Sequence, residues 1–597
     1  MVTDGHMLDT RLYRAAFVPV LLAVLVAAFA LSERPRPIGT TLAPDAFDGR
    51  KAYATLTELA RTFPRTRPGS AGDDAMAERV ESVFKGAGFQ VRTSSTTAQT
   101  IDGEQALTSV IGERPGLDPR RIVVVAHRDR VREGDTASLS GTAALLELAR
   151  LYEGRPIRRT LTLVSTSGGT GGMAGLRDTL DGIGGDVDAV LVVGDVASRA
   201  PVRRPYVIPW ADNGGLAPSR LRRTVESALR TETDLDPGQP RALVQLARLA
   251  MPLTLTPQGV VGGAGLSGVT IQASGERGPA PATADRVSRA RIQAFGRGLL
   301  RSISALDNGP AVPAGPRDYL IFQRQALPRW AVTVIAGLLL LPALIGAVDG
   351  LARVRRRRHA VAPWVRWLAV AALPFLLVAT VARLLGFAGA VPRLPGAVLP
   401  DAVPVQAAPL IILALLLAAG FAARGPVARA FGVPARPTRE EVPGAAAAVA
   451  LVSVLLAIAV LLINPYTALL LAPAIHLWLL AVAPEVELPR PALVAMALLG
   501  LVPLALLGVF YGALWDLGPA ELAWSGVLLL AGGTVGIVGA VLGSAVLACC
   551  VGAVGVAVRK RRSAKEEGGP GGSVTIRGPL SYAGPGSLGG TSSAIRR

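Results

Sequence analysis

The stretch RIVVVAHRDRVREGDTASLSGTAALLELAR (121–150) decides the fold. A continuous apolar run, Ile122 to Ala126, stops abruptly at His127-Arg128-Asp129. A polar loop follows, then a helical run with apolar residues at Leu145, Leu146, Leu148 and Ala149. Strand, polar loop and helix are half of a βαβ unit, and open α/β sheets take their ligands at the carboxyl ends of their strands. His127 and Asp129 stand at that end and are the first candidates for chemistry.

Outward from this stretch the same alternation continues. Apolar strand-type runs recur at 160–165, 188–193 and 268–273. Helical patterning covers 50–63, 74–87, 139–152, 217–231, 239–250 and 285–306, with Gly86-Ala87-Gly88 as a clear stop for the second. Alternating strands and helices over residues 33–328 predict an α/β domain with a mostly parallel sheet flanked by helices. No internal repeat is visible.

The rest of the chain is of another kind. Half of the 597 residues are hydrophobic, 18% are charged and the mean hydropathy is +0.43, a balance that points to membrane spans. Residues 15–31 are apolar and read as a transmembrane anchor or a cleaved signal peptide, after a short polar segment, 1–14. Seven further apolar runs occupy 330–348, 365–389, 407–423, 443–463, 468–483, 491–514 and 526–558, the last one tilted helix or a helix plus a re-entrant segment. Together they predict an α-helical polytopic membrane domain of about seven spans over 330–558. The net charge of +19 comes almost wholly from arginine. Arginines cluster at 353–359 (RVRRRRH), at 424–439 and at 559–562, while the intervening loops are poor in cations. This positive-inside pattern predicts a multi-pass plasma-membrane protein with both termini cytoplasmic and 33–328 outside. It accounts for the basic charge without nucleic acid, and leaves membrane lipid as a partner. RVRRRRH would also sit well on anionic headgroups. The tail, 559–597, is rich in Gly, Ser and Pro and is expected to be disordered. Cys549 and Cys550 are adjacent in an apolar run, which excludes a disulfide framework and a Cys-based zinc site.

Four segments of the outer domain resemble the M28 family of zinc aminopeptidases. They are FPRTRPGSAGDDAMAERVESVFKGAGFQV (63–91), VVVAHRDR (123–130), SGTAALLELAR (140–150) and ATADRVSRARIQAFGRGLLRSI (282–303), in the family's order. The resemblance implies a site of two zinc ions bridged by a carboxylate, with a Glu as general base. It implies that His127 is the first ligand and that Asp129 orients it. The remaining positions are degenerate. The bridging Asp falls on Ala137, the Glu-Glu pair on Gly168-Gly169, the next Asp near Gly194 with Asp195 one residue on, and the last His near Pro281-Ala282. The chain has four His, at 6, 127, 359 and 476, so no shift of alignment supplies the domain with a second His ligand. Asp135 and Asp195 are the only carboxylates that a small slip could bring in.

The expectation is therefore a pseudoenzyme of the M28 fold, with no catalytic residues and no cofactor, binding a protein or envelope partner on its outer face. The layout is similar to membrane-tethered relatives of eukaryotes in which this fold can serve assembly or recognition. One alternative is a membrane-bound zinc metallo-aminopeptidase with a reduced metal site at His127. A second is a transporter component, for which Arg383 and His476, inside apolar runs, are the candidates. The glycines 168, 169, 171 and 172 could cradle a phosphate, but no GxxxxGK or GxGxxG pattern follows and a plain flexible loop is the simpler reading.

Overall fold

The four apolar runs form the parallel centre of a seven-stranded sheet. In this computed structural model, residues 16–560 are described, except 43, 170, 184, 200–203, 213, 282–283 and 323–324. Residues 1–15, Ala282 and the tail from 561 therefore lie outside the described residues. The strands are β1 (Ser32–Glu33), β2 (Gln90–Thr100), β3 (Gly103–Arg114), β4 (Asp118–His127), β5 (Arg159–Thr166), β6 (Val187–Val193), β7 (Tyr206–Ile208), β8 (Gly268–Gln272), β9 (Tyr319–Phe322) and β10 (Gln325–Pro328). The large sheet runs β2-β3-β5-β4-β6-β8-β7. Strands β5, β4, β6 and β8 are parallel neighbours; β2, β3 and β7 pair antiparallel, so the sheet is mixed. The β2–β3 hairpin escaped the sequence reading because β2 is built mostly of half-exposed Ser, Thr and Gln and the buried apolar residues of β3, Leu107, Val110 and Ile111, are interrupted by polar ones. Its Asp102-Gly103 turn was its clearest signal.

Burial on both faces explains why β4 is central: Ile122, Val123, Val124, Val125 and Ala126 are all buried, with side chains alternating between the two faces. On one face the helices Gly49–Thr62, Ala71–Gly86, Ser140–Leu151 and Arg289–Asn308 share a core with Ile122 and Val124. On the other, Val123 and Val125 pack with Leu176, Leu180, Val260 and Val261. The first two helices begin at side-chain caps, Asp48 and Ser70, whose oxygens accept first-turn N–H groups.

A second small sheet, β1-β10-β9, leads into the helical part. Six helices there are long and apolar enough to cross a membrane: Arg329–Arg356, Ala362–Phe387, Ala407–Ala430, Val442–Ile463, Pro465–Val482 and Ile537–Arg559. Arg490–Leu499 and Val502–Trp515, bent by 46° at their junction, make a seventh if they count as one span. The apolar run 526–558 is not one tilted helix. It breaks at Gly532-Gly533 into a short helix, Pro519–Ala531, and the span Ile537–Arg559, because Gly533 takes the left-handed conformation (φ +81°) and ends the first. The N-terminal apolar run holds the helix Phe17–Phe29, which packs against Arg329–Arg356.

Candidate functional site

β4 delivers His127 to the carboxyl edge of the sheet, level with Thr166 of β5. Thr142 in the following helix donates its hydroxyl to the His127 carbonyl at 2.9 Å, which locks helix to strand end. His127 lines a cavity of about 150 Å³ together with Asp135, Ser138, Asp195, Gln272 and Glu276. The strand ends thus gather His127, Asp135 and Asp195, while Asp129 is buried and does not line the cavity.

A two-zinc centre needs about four N or O ligands per ion, and the residues present do not fit it. Gly169 is the decisive position. A Cβ placed there would lie 2.5 Å from His127 Cβ and 2.6 Å from its Cγ, so a Glu side chain at this position would run into the His127 side chain. The Gly169 N–H donates to Asp129 Oδ1 at 2.8 Å. The fully buried Asp129 carboxylate thus holds this loop, while among the described residues His127 Nδ1 is buried with no hydrogen-bond partner, Asp129 included. Ala137 is buried, its N–H donating to the Ala284 carbonyl. Asp135 is engaged locally: its carboxylate accepts the Ser138 hydroxyl (2.7 Å) and N–H (3.3 Å). Asp195 Oδ1 accepts the N–H groups of Ala197 (3.0 Å) and Ser198 (2.8 Å). Burial raises the pKa of both carboxyls. Among the described residues no three His, Cys, Asp or Glu side chains come together as a metal cage.

Arg128, between the two motif residues, is a feature that sequence reading passed over. It is fully buried and paired with Asp73 at 2.9 Å, and it donates to the carbonyls of Thr108 (2.6 Å) and Ser165 (3.3 Å). Burial pushes the Asp73 carboxyl up to about 6, with the nearby Asp129 charge adding to it, against the pull of Arg128 and the Ser167 hydroxyl. Because the folded value lies above the ordinary 3.8, the native state keeps a proton that the unfolded chain has lost between these pH values. This contribution to stability is full below the ordinary value of 3.8 and disappears as pH rises through about 6. The full-length chain is expected to gain on the order of 1 kcal/mol from this group between about pH 7 and about pH 5. Thermal melts of wild type and Asp73→Asn at both pH values check it; an identical pH response in the two would rule out the assignment.

The cavity's far wall is not part of the α/β domain. It is formed by Ala397, Val398, Leu399, Asp401 and Ala402, from the segment joining Ala362–Phe387 to Ala407–Ala430. The carboxyl edge of the sheet is docked on the helical bundle. Ile101, at the tip of the β2–β3 hairpin, packs against the cluster that holds Ala382, Val391 and Leu394. Gly172 (φ +107°) lies so close to Pro395 that a Cβ would meet the ring and the carbonyl at 3.0 Å. The glycine-rich loop is thus a contact surface, which explains Gly172 better than either a phosphate cradle or a free loop. Arg277 reaches Asp516 at 2.8 Å and Asp401 at 3.4 Å. The end of the helix Ala242–Ala250 leaves carbonyls without intrahelical partners, and bundle side chains satisfy them. Asn464 donates to Leu249, Thr467 to Ala250 and Tyr511 to the following Met251. Asn464 also caps its own helix, accepting the N–H groups of Tyr466 and Thr467. NPYT (464–467) is therefore half of the joint.

The two membrane candidates both serve helix contacts. Arg383 donates to the Val535 carbonyl at 2.6 Å, and His476 Nε2 lies 2.9 Å from the Leu339 carbonyl of Arg329–Arg356.

No family model matches the chain, and no curated protein matches it. Among solved structures it is similar to BSAP, a zinc aminopeptidase from Bacillus subtilis, at 11% identity and TM-score 0.36 over 45% of this chain and 99% of that one. It is also similar to a Zn-dependent exopeptidase from Parabacteroides distasonis (16%, TM-score 0.35, 43% and 98%). A third likeness is to the glutaminyl cyclase of Porphyromonas gingivalis (16%, TM-score 0.33, 44% and 99%).

Proposed function

We propose that this chain is a multi-pass envelope membrane protein whose M28-like domain has lost zinc hydrolysis and acts in binding or assembly. The observation that supports this most is the Gly169 backbone resting on the His127 ring, where the family resemblance requires a carboxylate. Ala137 and the inward-bonded Asp195 agree with it. The arginine-rich loops at 353–359 and 424–439 support a domain outside the cell and cytoplasmic termini. Its partner is a protein or envelope component met on the outer face, and nucleic acid has no part in it.

A reduced zinc aminopeptidase is the second reading, favoured by His127, Asp135 and Asp195 lining one cavity. Zinc content and aminopeptidase activity of the detergent-solubilised full chain separate the two. The expected result is zinc far below one per chain, unchanged in His127→Ala, and no release of N-terminal amino acids. Stoichiometric zinc that disappears in His127→Ala, together with hydrolysis, would overturn the proposal.

A further inference from the structure

A charged side chain within an apolar helix needs a partner in the chain or beyond it. Arg383 and His476 find carbonyls; among the described residues Arg424 finds neither a carbonyl nor a carboxylate. It lies on the span Ala407–Ala430, with its guanidinium carbon 4.9 Å from the ring centroid of Trp367 on the neighbouring span Ala362–Phe387. Its Nη2 is buried with no hydrogen-bond partner. The charge that acts on it is a second cation, Arg436. No ion pair of either arginine occurs among the described residues, and in the chain just after Arg436 the Glu441 carboxylate is taken by the N–H and hydroxyl of Thr438. The Trp367 indole is itself fixed, donating to the Ala435 carbonyl at 3.1 Å, so the loop that carries Arg436 is tied to the same corner.

Two cations without a carboxylate, one of them stacked on an indole, form an anion site. Stacking leaves the N–H groups of a guanidinium directed outward in its own plane; with Nη2 buried, the bond to a phosphate oxygen falls to the other N–H groups of Arg424. We propose that Arg424, Arg436 and the Trp367 face bind the phosphate group of an anionic membrane lipid. The proposal rests on the reading of this chain as a membrane protein and is independent of whether its outer domain hydrolyses anything. A lipid fits better than free phosphate because apolar surface continues from the site. Phe421, one turn from Arg424, is exposed and stacks edge-on with Phe375, and Leu417, two turns from Arg424 on the same helix face, is half-buried. Acyl chains would lie on that surface while the headgroup meets the arginines. The site is distinct from the RVRRRRH run, whose arginines offer charge without a stacked ring.

Native mass spectrometry of the full chain in detergent tests this, with phosphatidylglycerol, phosphatidylcholine and inorganic phosphate as separate probes. One phosphatidylglycerol is expected to stay bound at energies that strip phosphatidylcholine. Arg424→Gln should weaken its retention by about tenfold, and Arg436→Gln by about threefold. Neutralising Arg355 to Arg358 should leave this one lipid in place. Equal retention of the two lipids would overturn the proposal, as would undiminished phosphatidylglycerol binding in Arg424→Gln. Competition by millimolar phosphate that abolishes lipid preference would assign the site to the free ion instead. If Arg424→Gln does not fold, Arg436→Gln decides, since its position is exposed; wild-type retention there counts against the site. Zinc content and hydrolysis do not enter this readout, so its failure leaves the reading of the outer domain standing.

Discussion

Arg248→Ala is expected to destabilise the full-length chain by about 3–5 kcal/mol, the cost of leaving one partner of a buried ion pair uncompensated. Arg248 and Glu276 are both buried at the pair, their side chains 3% and 5% exposed. The guanidinium also donates to the Leu253 carbonyl and sits among Trp210, Phe510 and Tyr511, 5.5–6.0 Å from the ring centroids. Trp210 and Glu276 belong to the α/β domain; Phe510 and Tyr511 belong to the bundle helix Val502–Trp515. The substitution therefore removes an ion pair and loosens the joint at once. Burial pushes the Arg248 pKa down to about 10, so the group is still charged at neutral pH and the loss is that of a cation. Thermal unfolding in detergent should show a drop in Tm, and limited proteolysis should find new cleavage between residues 251 and 257. Glu276→Gln alone should also be costly, and the double variant should lose much less than the sum of the two. Additive losses would mean that the pair does not hold the joint.

Gly169→Glu, which returns a carboxylate to the place where the M28 resemblance expects one, should give no aminopeptidase activity and a loss of about 1–3 kcal/mol from overpacking. The reason is geometric: the new Cβ begins 2.5 Å from His127 Cβ, and the Gly169 N–H must stay on Asp129. Adding His127→Gly, which removes that Cβ together with the ring, should relieve the clash, so the double variant is more stable than the two separate losses predict. Melting curves of the four chains measure this. A Gly169→Glu chain with wild-type Tm and zinc-dependent hydrolysis would refute the contact and the lost-activity reading together.

The frame of the domain was legible because burial leaves long apolar runs. Ile122 to Ala126 and the runs at 160–165, 188–193 and 268–273 are strands covered on both faces, and they stand in the structure as β4, β5, β6 and β8. The hairpin β2–β3 was not legible in the same way, since the edge strand β2 is half in solvent and needs few apolar residues, and β3 mixes its buried Leu107, Val110 and Ile111 with Thr and Ser. The apolar spans were legible for the same reason as the core strands, apart from two breaks: the run 491–514 bends by 46° between Leu499 and Val502, and 526–558 stops at Gly532-Gly533, where backbone conformation and not hydropathy ends the helix.

By itself the sequence determined that His127 is the one histidine between residues 33 and 328 and that Ala137, Gly168 and Gly169 carry no side chain able to bind a metal or take a proton. Those are facts of side-chain identity. Only the tertiary structure decided what surrounds these positions. Gly169 closes on His127, Asp129 turns to the loop's N–H, and the segment 397–402 from the membrane part walls the cavity. These contacts join residues far apart in the chain, through close backbone approach and single hydrogen bonds. Such contacts depend on how whole elements dock, and neither composition nor periodicity records them.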